Sequence, residues 1–194
     1  NLLYLSKFRP DVQSSAVWLI NNMPAPGMIH WNELFRVVRY LRRTSSVVTK
    51  FSNPNIQDLG IRGYAGHSMI PGENPGDKLL VSSGVVKINN CRLNAFTRYN
   101  VDQPDNTGIA GMGSVNEVLR KCRKLQASLE FLNFGSLPII ICVDDMATKA
   151  YIYRHGTDKM HPLPEKYVWI QDAVENGYFD VQVVDQKENP SVLM

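Results

Sequence analysis

Residues 138–145, Pro-Ile-Ile-Ile-Cys-Val-Asp-Asp, are the stretch of sequence on which the fold assignment depends. The run from Pro138 to Val143 is apolar without interruption, and Asp144 and Asp145 follow it directly. A short apolar run without polar alternation is typical of a strand that is buried on both faces of a sheet. We therefore predict a central strand that carries Asp144 at its carboxyl-terminal end.

The segment before this strand predicts two further strands and a long helix. Two apolar runs, Leu79–Ser82 and Val85–Ile88, flank Ser83-Gly84, which is the pattern of a tight hairpin. A polar stretch rich in Asn, Asp and Gly predicts a loop over 100–113. The amphipathic pattern that follows predicts a helix over 114–134, with Asn133 and Gly135 as its stop signal.

After the central strand, the chain predicts a short helix, a second helix that ends at Glu175-Asn176-Gly177, and a last strand over 179–184. Strands and helices therefore alternate through this part of the chain. That order predicts an α/β fold, in which a mixed β-sheet is flanked by helices.

Residues 1–52 have a different, helical pattern and are predicted to form a helical segment in front of a domain at 53–194. A helix from about residue 30 to 43 carries apolar residues at intervals of three and four, and we expect this stripe to face the domain. The stripe consists of Trp31, Leu34, Phe35, Val38 and Leu41, with Trp18 from the preceding helix. The opposite face carries Arg36, Arg39, Arg42 and Arg43. Such a row is typical of a solvated helix face, and a surface for nucleic acid or an acidic partner is the alternative.

Composition excludes several classes of protein. The 194 residues are 44% hydrophobic and 20% charged, which is typical of a folded globular chain. The net charge of +3 does not by itself require a nucleic-acid partner. No apolar run approaches the roughly 20 residues that a membrane span needs. The three cysteines form no Cys-x-x-Cys pair and are expected to be reduced core thiols of an intracellular protein.

Several stretches of the chain resemble, in the same order, the end of the reverse transcriptase and the RNase H domain of copia-type retrotransposon polyproteins. His30–Thr44, HWNELFRVVRYLRRT, resembles the segment that joins the two domains. Tyr64-Ala65-Gly66 resembles the aromatic-Ala-Gly after the first RNase H strand, and Ile141–Asp144 resembles the strand that bears the third catalytic aspartate. Further matches lie at Leu2–Leu5, Arg9–Val12 and Lys166–Gly177. The resemblance implies an RNase H-like mixed sheet behind a helical segment.

The resemblance also implies a set of metal-binding positions. RNase H cleavage is metal-assisted hydrolysis, in which carboxylates at four places hold two divalent ions. Magnesium prefers hard, anionic oxygen ligands, so apolar residues do not replace these acids. Aligned on the motifs, the four positions are Ile61, Asn116, Asp144 and Val192. Because only Asp144 is acidic, we predict a degenerate, catalytically inactive domain with no metal and no cofactor.

An active ribonuclease with shifted acids is the alternative. It would use Asp58, Glu117 and Asp144, together with Asp185 or Glu188. Glu117 is one residue from the expected helical position, and one residue turns a helical side chain by about 100°. Asp144 also has a structural interpretation, because an aspartate between a strand and a helix is commonly an N-cap.

The expected role is that of a protein-interaction or scaffold module, acting through self-association or docking to a larger assembly. Apolar Ile61 and Val192 on the former active-site face motivate this expectation. Nucleic acid is the second class of partner, motivated by basic residues on two helices: Arg36, Arg39, Arg43, Arg120, Lys121, Arg123 and Lys124. Neither a membrane nor a small-molecule substrate is expected, and the expected location is nuclear rather than cytoplasmic.

Overall fold

The computed structural model describes residues 2–49, 51, 59–71, 78–89, 91–100, 106–154 and 163–191. The predicted boundary between residues 52 and 53 lies outside these ranges. The helical segment contains α1 (Leu2–Ser6), a 3-10 turn (Pro10–Val12), α2 (Gln13–Asn21) and α3 (Met28–Arg43). The following elements are β1 (Ile61–Pro71), β2 (Lys78–Ile88), β3 (Cys91–Asn100), α4 (Thr107–Phe131), β4 (Ile139–Val143), α5 (Met146–Tyr153), α6 (Glu165–Glu175) and β5 (Asp180–Val183).

The strands form a five-stranded mixed sheet in the order β3-β2-β1-β4-β5. β1, β2 and β3 form an antiparallel meander, whereas β4 runs parallel to both β1 and β5. A parallel neighbour cannot be reached by a tight turn, so the chain crosses from β3 to β4 through α4 and from β4 to β5 through α5 and α6. The prediction of an α/β fold with a mixed sheet and flanking helices is confirmed.

β4 occupies the interior of this sheet, as its apolar sequence predicts. Ile139, Ile141, Cys142 and Val143 are at most 3% exposed. α4 covers the meander and packs Val115, Val118 and Leu119 into the core, where each is at most 1% exposed. Burying one such side chain contributes about 1.5–3 kcal/mol, so the interface between α4 and the sheet is a major source of stability.

The predicted hairpin at Ser83-Gly84 is wrong, because β2 runs through both residues without a turn. Gly84 pairs with Ala65 on one side and with Phe96 on the other. A Cβ atom at Gly84 would lie 2.4 Å from the Phe96 ring and 2.5 Å from Val118. The glycine therefore marks a close approach of neighbouring side chains to a strand, and not a turn.

The predicted loop over 100–113 is also partly wrong, because α4 begins at Thr107. Asn106 caps this helix by accepting a 2.9 Å hydrogen bond from the Ile109 amide. Two glycines in its first turns lie against α5. A Cβ atom at Gly108 would meet the Tyr151 ring at 2.4 Å, and one at Gly111 would meet the Thr148 hydroxyl at 1.8 Å. These glycines permit two helices to pack closely, which outweighs their low helix propensity.

The helical segment packs on the edge of the sheet through α2, which lies against β3, while α3 packs on α2. The expectation that the whole stripe on α3 faces the domain is wrong. Val37 is 4% exposed, but Trp31, Phe35 and Val38 are 51–55% exposed. Adjacent residues on a helix differ by about 100°, so the Val37 face and the Val38 face cannot both point inward. Half of the residues in the predicted apolar stripe are therefore exposed.

The cysteines are free, as the sequence predicts. Cys122 and Cys142 are buried, and burial raises the pKa of the Cys122 thiol to about 12. Cys91 is only partly buried.

Within the described part of the chain, no helix combines the length and apolarity that crossing a membrane requires.

Candidate functional site

The candidate site begins at the carboxyl end of β4, where Asp144 and Asp145 lie. Asp145, not Asp144, is the N-cap of α5: its carboxylate accepts hydrogen bonds from the amides of Ala147 (2.8 Å) and Thr148 (3.2 Å). Asp144 is half-buried, and no described residue forms a hydrogen bond or ion pair with its side chain. The N-cap interpretation of Asp144 is therefore wrong, and its carboxylate is available for another role.

The strand register places β1 residue Gly66 beside this carboxylate. Ala65 is paired with Val143, so the next residue along each chain, Gly66 and Asp144, lies at the same level. Ile61 is paired with Ile139 at the opposite end of β4. Five residues of extended strand separate the Ile61–Ile139 pair from the Gly66–Asp144 pair, which corresponds to about 16 Å. The structure thus does not bring Ile61 and Asp144 together, and fully buried Ile61 contributes to the core rather than to a surface.

Neutral polar side chains surround the Ala65–Gly66 backbone. The Ser114 hydroxyl donates to the Gly66 carbonyl at 2.7 Å, and the Ser83 hydroxyl donates to the same oxygen at 3.3 Å. The Asn189 amide donates to the Ala65 carbonyl at 3.0 Å. Ser191 donates its hydroxyl to the Asn189 side-chain oxygen at 2.6 Å. We call these four residues, Ser83, Ser114, Asn189 and Ser191, the polar cluster.

The polar cluster fills the space in front of Gly66. Its members are at most 6% exposed. A Cβ atom at Gly66 would lie only 2.5 Å from the Ser191 hydroxyl oxygen. A longer side chain at this position, including an aspartate, would therefore displace the segment that carries Asn189 and Ser191. Sequence reasoning missed these residues, because small polar side chains far apart in the chain carry no recognisable motif.

The other positions considered for metal-binding acids do not join Asp144 in the described structure. Asn116 accepts hydrogen bonds from the Trp169 indole (3.1 Å) and from Arg120 (3.3 Å). Glu117 pairs with Arg98 at 3.3 Å, and Asp185 accepts from the Lys187 amide at 2.8 Å. Asp58 and Val192 lie outside the described residues. Within the described ranges, no three His, Cys, Asp or Glu side chains come together as metal ligands would.

Comparison with solved structures identifies the architecture. An RNase H1 isolated from compost by a metagenomic approach superposes with a TM-score of 0.50 at 13% identity, over 67% of this chain and 87% of that enzyme. This chain has an RNase H-like fold. The same enzyme in complex with an RNA/DNA hybrid gives a TM-score of 0.47 at 12% identity, over 68% of this chain and 88% of that one. The RNase H1 of the archaeon Halobacterium salinarum gives 0.46 at 12%, over 69% and 89%. No protein-family profile and no curated sequence matches the chain.

A pair of divalent ions, which RNase H chemistry uses, does not fit this site. Among the described side chains at the Gly66 level, Asp144 is acidic, and the polar cluster supplies hydroxyls and an amide. Neutral oxygens that already hold hydrogen bonds do not balance the charge of two divalent cations, for which several carboxylates are required. No catalytic step through a metal can be derived from these residues.

Two of the basic residues of α4 in the RNase H-like domain lie beside one aromatic ring. The guanidinium groups of Arg120 and Arg123 lie 5.8 Å and 5.9 Å from the ring centre of half-buried Trp169 on α6. Lys121 instead lies 5.1 Å from the Phe96 ring, and Lys124 is exposed. The structure therefore brings Arg120 and Arg123 together with Trp169, which sequence reasoning did not include.

The basic residues of α3 form a separate row. Arg36 is paired with Glu33 at 2.8 Å, whereas Arg39 and Arg43 are exposed without an ion pair to any described carboxylate. Beside this row lies the open apolar stripe of Trp31, Phe35 and Val38. An exposed apolar surface on a protein of this size is typical of a contact site.

Proposed function

We propose that this chain is a catalytically inactive RNase H-like domain, derived from a copia-type retrotransposon polyprotein, that functions in protein interaction. The observation that carries the proposal is the Ser114–Gly66 hydrogen bond, together with the Asn189–Ser191 pair packed against the same backbone. These contacts occupy the level of Asp144, where an RNase H enzyme requires carboxylates. The order of motifs from His30–Thr44 to Lys166–Gly177 supports the copia-type origin.

The chemistry of the donors supports the proposed inactivity. Two divalent ions activate the water and stabilise the leaving oxygen of a phosphodiester, and both ions need anionic ligands. Asp144, the carboxylate that the described residues place at this level, cannot hold that pair by itself. The neighbouring hydroxyls donate their protons to backbone carbonyls and to Asn189, so they are already satisfied without a metal.

The protein-interaction role is supported by the helical segment rather than by the former active-site face. Fully buried Ile61 does not add apolar surface. Trp31, Phe35 and Val38 on α3 do, and Trp31 also lines an apolar groove of about 520 Å³ between α1, α2 and α3. Burying these side chains against a partner removes apolar area from water and favours association.

A cleavage assay tests the inactivity. The chain is incubated with an RNA–DNA hybrid in Mg²⁺ and then in Mn²⁺, with an active RNase H1 as the positive control. We expect the unmodified chain to show no more cleavage than the Asp144→Asn variant. Asp180→Asn is the matched control, because it removes an exposed carboxylate from another position. Cleavage that survives in Asp180→Asn but disappears in Asp144→Asn would overturn the proposal.

Nucleic-acid binding without cleavage is the second candidate, and the arrangement of Arg120 and Arg123 around Trp169 favours it. Cations beside an aromatic ring suit a phosphate backbone and a stacked base. Affinity for hybrid, duplex and single strands is measured at two salt concentrations, because binding through such cations releases counterions and weakens steeply with salt. Loss of binding in a double Arg120→Gln, Arg123→Gln variant supports this candidate, and unchanged binding contradicts it.

A further inference from the structure

α3 presents an open apolar surface, which we call the docking face: Trp31, Phe35, Val38 and the groove that Trp31 lines. The groove, of about 520 Å³, is lined by Leu2 and Leu3 from α1, by Leu19 and Ile20 from α2, and by Trp31 and Leu34 from α3. The Trp31 and Phe35 rings are adjacent, with centres 6.3 Å apart. The lining of the groove is almost entirely apolar, so a partner must offer apolar side chains to it.

The spacing of the docking face indicates the shape of its occupant. Trp31, Phe35 and Val38 are four and three residues apart on α3. Residues at positions i, i+4 and i+7 lie on one side of a helix, where they form an apolar ridge. Ridges and grooves of this kind are filled by the ridge of a second helix, as in other helix-in-groove complexes. The side chains of an extended strand do not repeat at these intervals, so a strand does not match this spacing.

The charges beside the ridge indicate the composition of that helix. Arg39 lies four residues after Phe35, and Arg42 lies four residues after Val38, so this side of α3 turns from apolar to basic toward its carboxyl-terminal end. Both arginines are exposed, and no described carboxylate forms an ion pair with either. On α3 the acidic residue is Glu33, which is engaged with Arg36.

We propose that the docking face binds an acidic amphipathic helix of a partner protein. The partner's apolar stripe would fill the groove beside Trp31 and Phe35, and its flanking carboxylates would face Arg39 and Arg42. This inference rests on the proposed protein-interaction function and specifies the partner. A second copy of the chain is disfavoured as the occupant, because it would bring the same arginines of two copies face to face and like charges oppose such a contact.

Three synthetic helical peptides test the proposal against the full chain. They share one apolar face and differ on the flanks, which carry Glu, Gln or Lys. We expect the Glu peptide to bind at least about ten-fold more tightly than the Lys peptide, a preference that shrinks as salt screens the charges. Sedimentation of the protein alone is measured at the same concentrations.

Variants of exposed residues locate the binding site without disturbing the core. Trp31→Ala is expected to weaken all three peptides by about ten-fold or more, whereas Phe131→Ala, which truncates an 87% exposed aromatic on α4, leaves binding unchanged. A double Arg39→Glu, Arg42→Glu variant is expected to reverse the preference between the Glu and Lys peptides. A double Arg123→Glu, Lys124→Glu variant, which makes the same charge change at two exposed residues of α4, is expected to leave the preference as it is.

The outcomes separate the two proposals. Equal, Trp31-dependent binding of all three peptides overturns the acidic preference and leaves the protein-interaction role standing. A dimer that Trp31→Ala dissociates makes a second copy the occupant and overturns the inference. If no peptide binds and the chain is monomeric, the inference fails. The broader role then fails as well, unless crosslinking in source cells joins a protein to the docking face.

Discussion

The hydroxyl of Ser114 on α4 lies 2.7 Å from the carbonyl oxygen of Gly66 on β1 and donates a hydrogen bond to it. This contact stands at the level of Asp144, the residue that the resemblance to RNase H domains implies as a metal ligand. Both partners are buried, so the bond is shielded from water. A buried hydrogen bond that ties a helix to a strand stabilises the fold, and we infer that this site has exchanged a catalytic role for a structural one.

Replacement of Ser114 by alanine tests the structural value of this bond. Of its two side-chain donors, the Gly66 carbonyl keeps Ser83, which forms the longer bond, and we expect a loss of about 1–3 kcal/mol in the free energy of unfolding. Ser128→Ala is the matched control, since this exposed serine on the same helix also donates to a backbone carbonyl. We expect the control to change stability by at most about 0.5 kcal/mol, as measured by urea unfolding. Equal losses in the two variants would contradict the assignment.

Alanine at Gly84 tests the continuous β2 strand. An added methyl group would overlap the Phe96 ring and Val118, so we expect a destabilisation of about 1–3 kcal/mol from overpacking. Gly60→Ala is the control, because a Cβ atom there meets its nearest neighbour at 3.6 Å, an ordinary contact. If Gly84→Ala were as well tolerated as Gly60→Ala, the strand register around Gly84 would be wrong.

The sequence predicted the elements whose residues have one dominant pattern. The apolar run Ile139–Val143 can bury both faces only in the interior of a sheet, so β4 and the position of Asp144 could be found. The start of α4 could not, because Gly108 and Gly111 resemble loop residues until the neighbouring α5 is known. Local propensity is a weak prior, and tertiary packing overrode it here.

The polar cluster was missed because it is formed by tertiary contacts alone. Ser83, Ser114, Asn189 and Ser191 come from a strand, a helix and the segment after β5. The one available signal was Ser114, a small polar residue on the apolar face of α4 beside Val115 and Val118. A buried polar residue among core positions requires a hydrogen-bond partner, which predicts a contact without identifying it.

The two faces of α3 predict different responses to truncation. Val37 is 4% exposed, and Val37→Ala is expected to lower the free energy of unfolding by about 1.5 kcal/mol or more. Trp31 is 51% exposed, so Trp31→Ala is expected to cost clearly less than the roughly 3–5 kcal/mol of a buried tryptophan. Urea unfolding of both variants measures the difference. A loss above about 3 kcal/mol for Trp31→Ala would mean that this face is covered.

Asp11 predicts a pH dependence in the helical segment. Hydrogen bonds from Arg9, at 3.0 and 2.7 Å, lower the pKa of this carboxyl below its ordinary 3.8, and Tyr40 donates a further bond at 2.9 Å. A lowered folded-state pKa stabilises the protein above the ordinary value, and this contribution is lost as the pH falls through the lowered pKa. The stability difference between the wild type and Asp11→Asn should therefore shrink below about pH 4. A difference that stays constant down to pH 2 or so would exclude this linkage.

The most direct test of the central claim, that neutral side chains have replaced the metal site of this RNase H-like domain, is the stability of the chain in Mg²⁺ at matched ionic strength. A ligand that binds only the folded state at one hundred times its Kd adds about 2.7 kcal/mol to the free energy of unfolding. We predict no increase in about 10 mM Mg²⁺, either for the wild type or for Asp144→Asn. An increase of that size in the wild type that disappears in Asp144→Asn would contradict the claim.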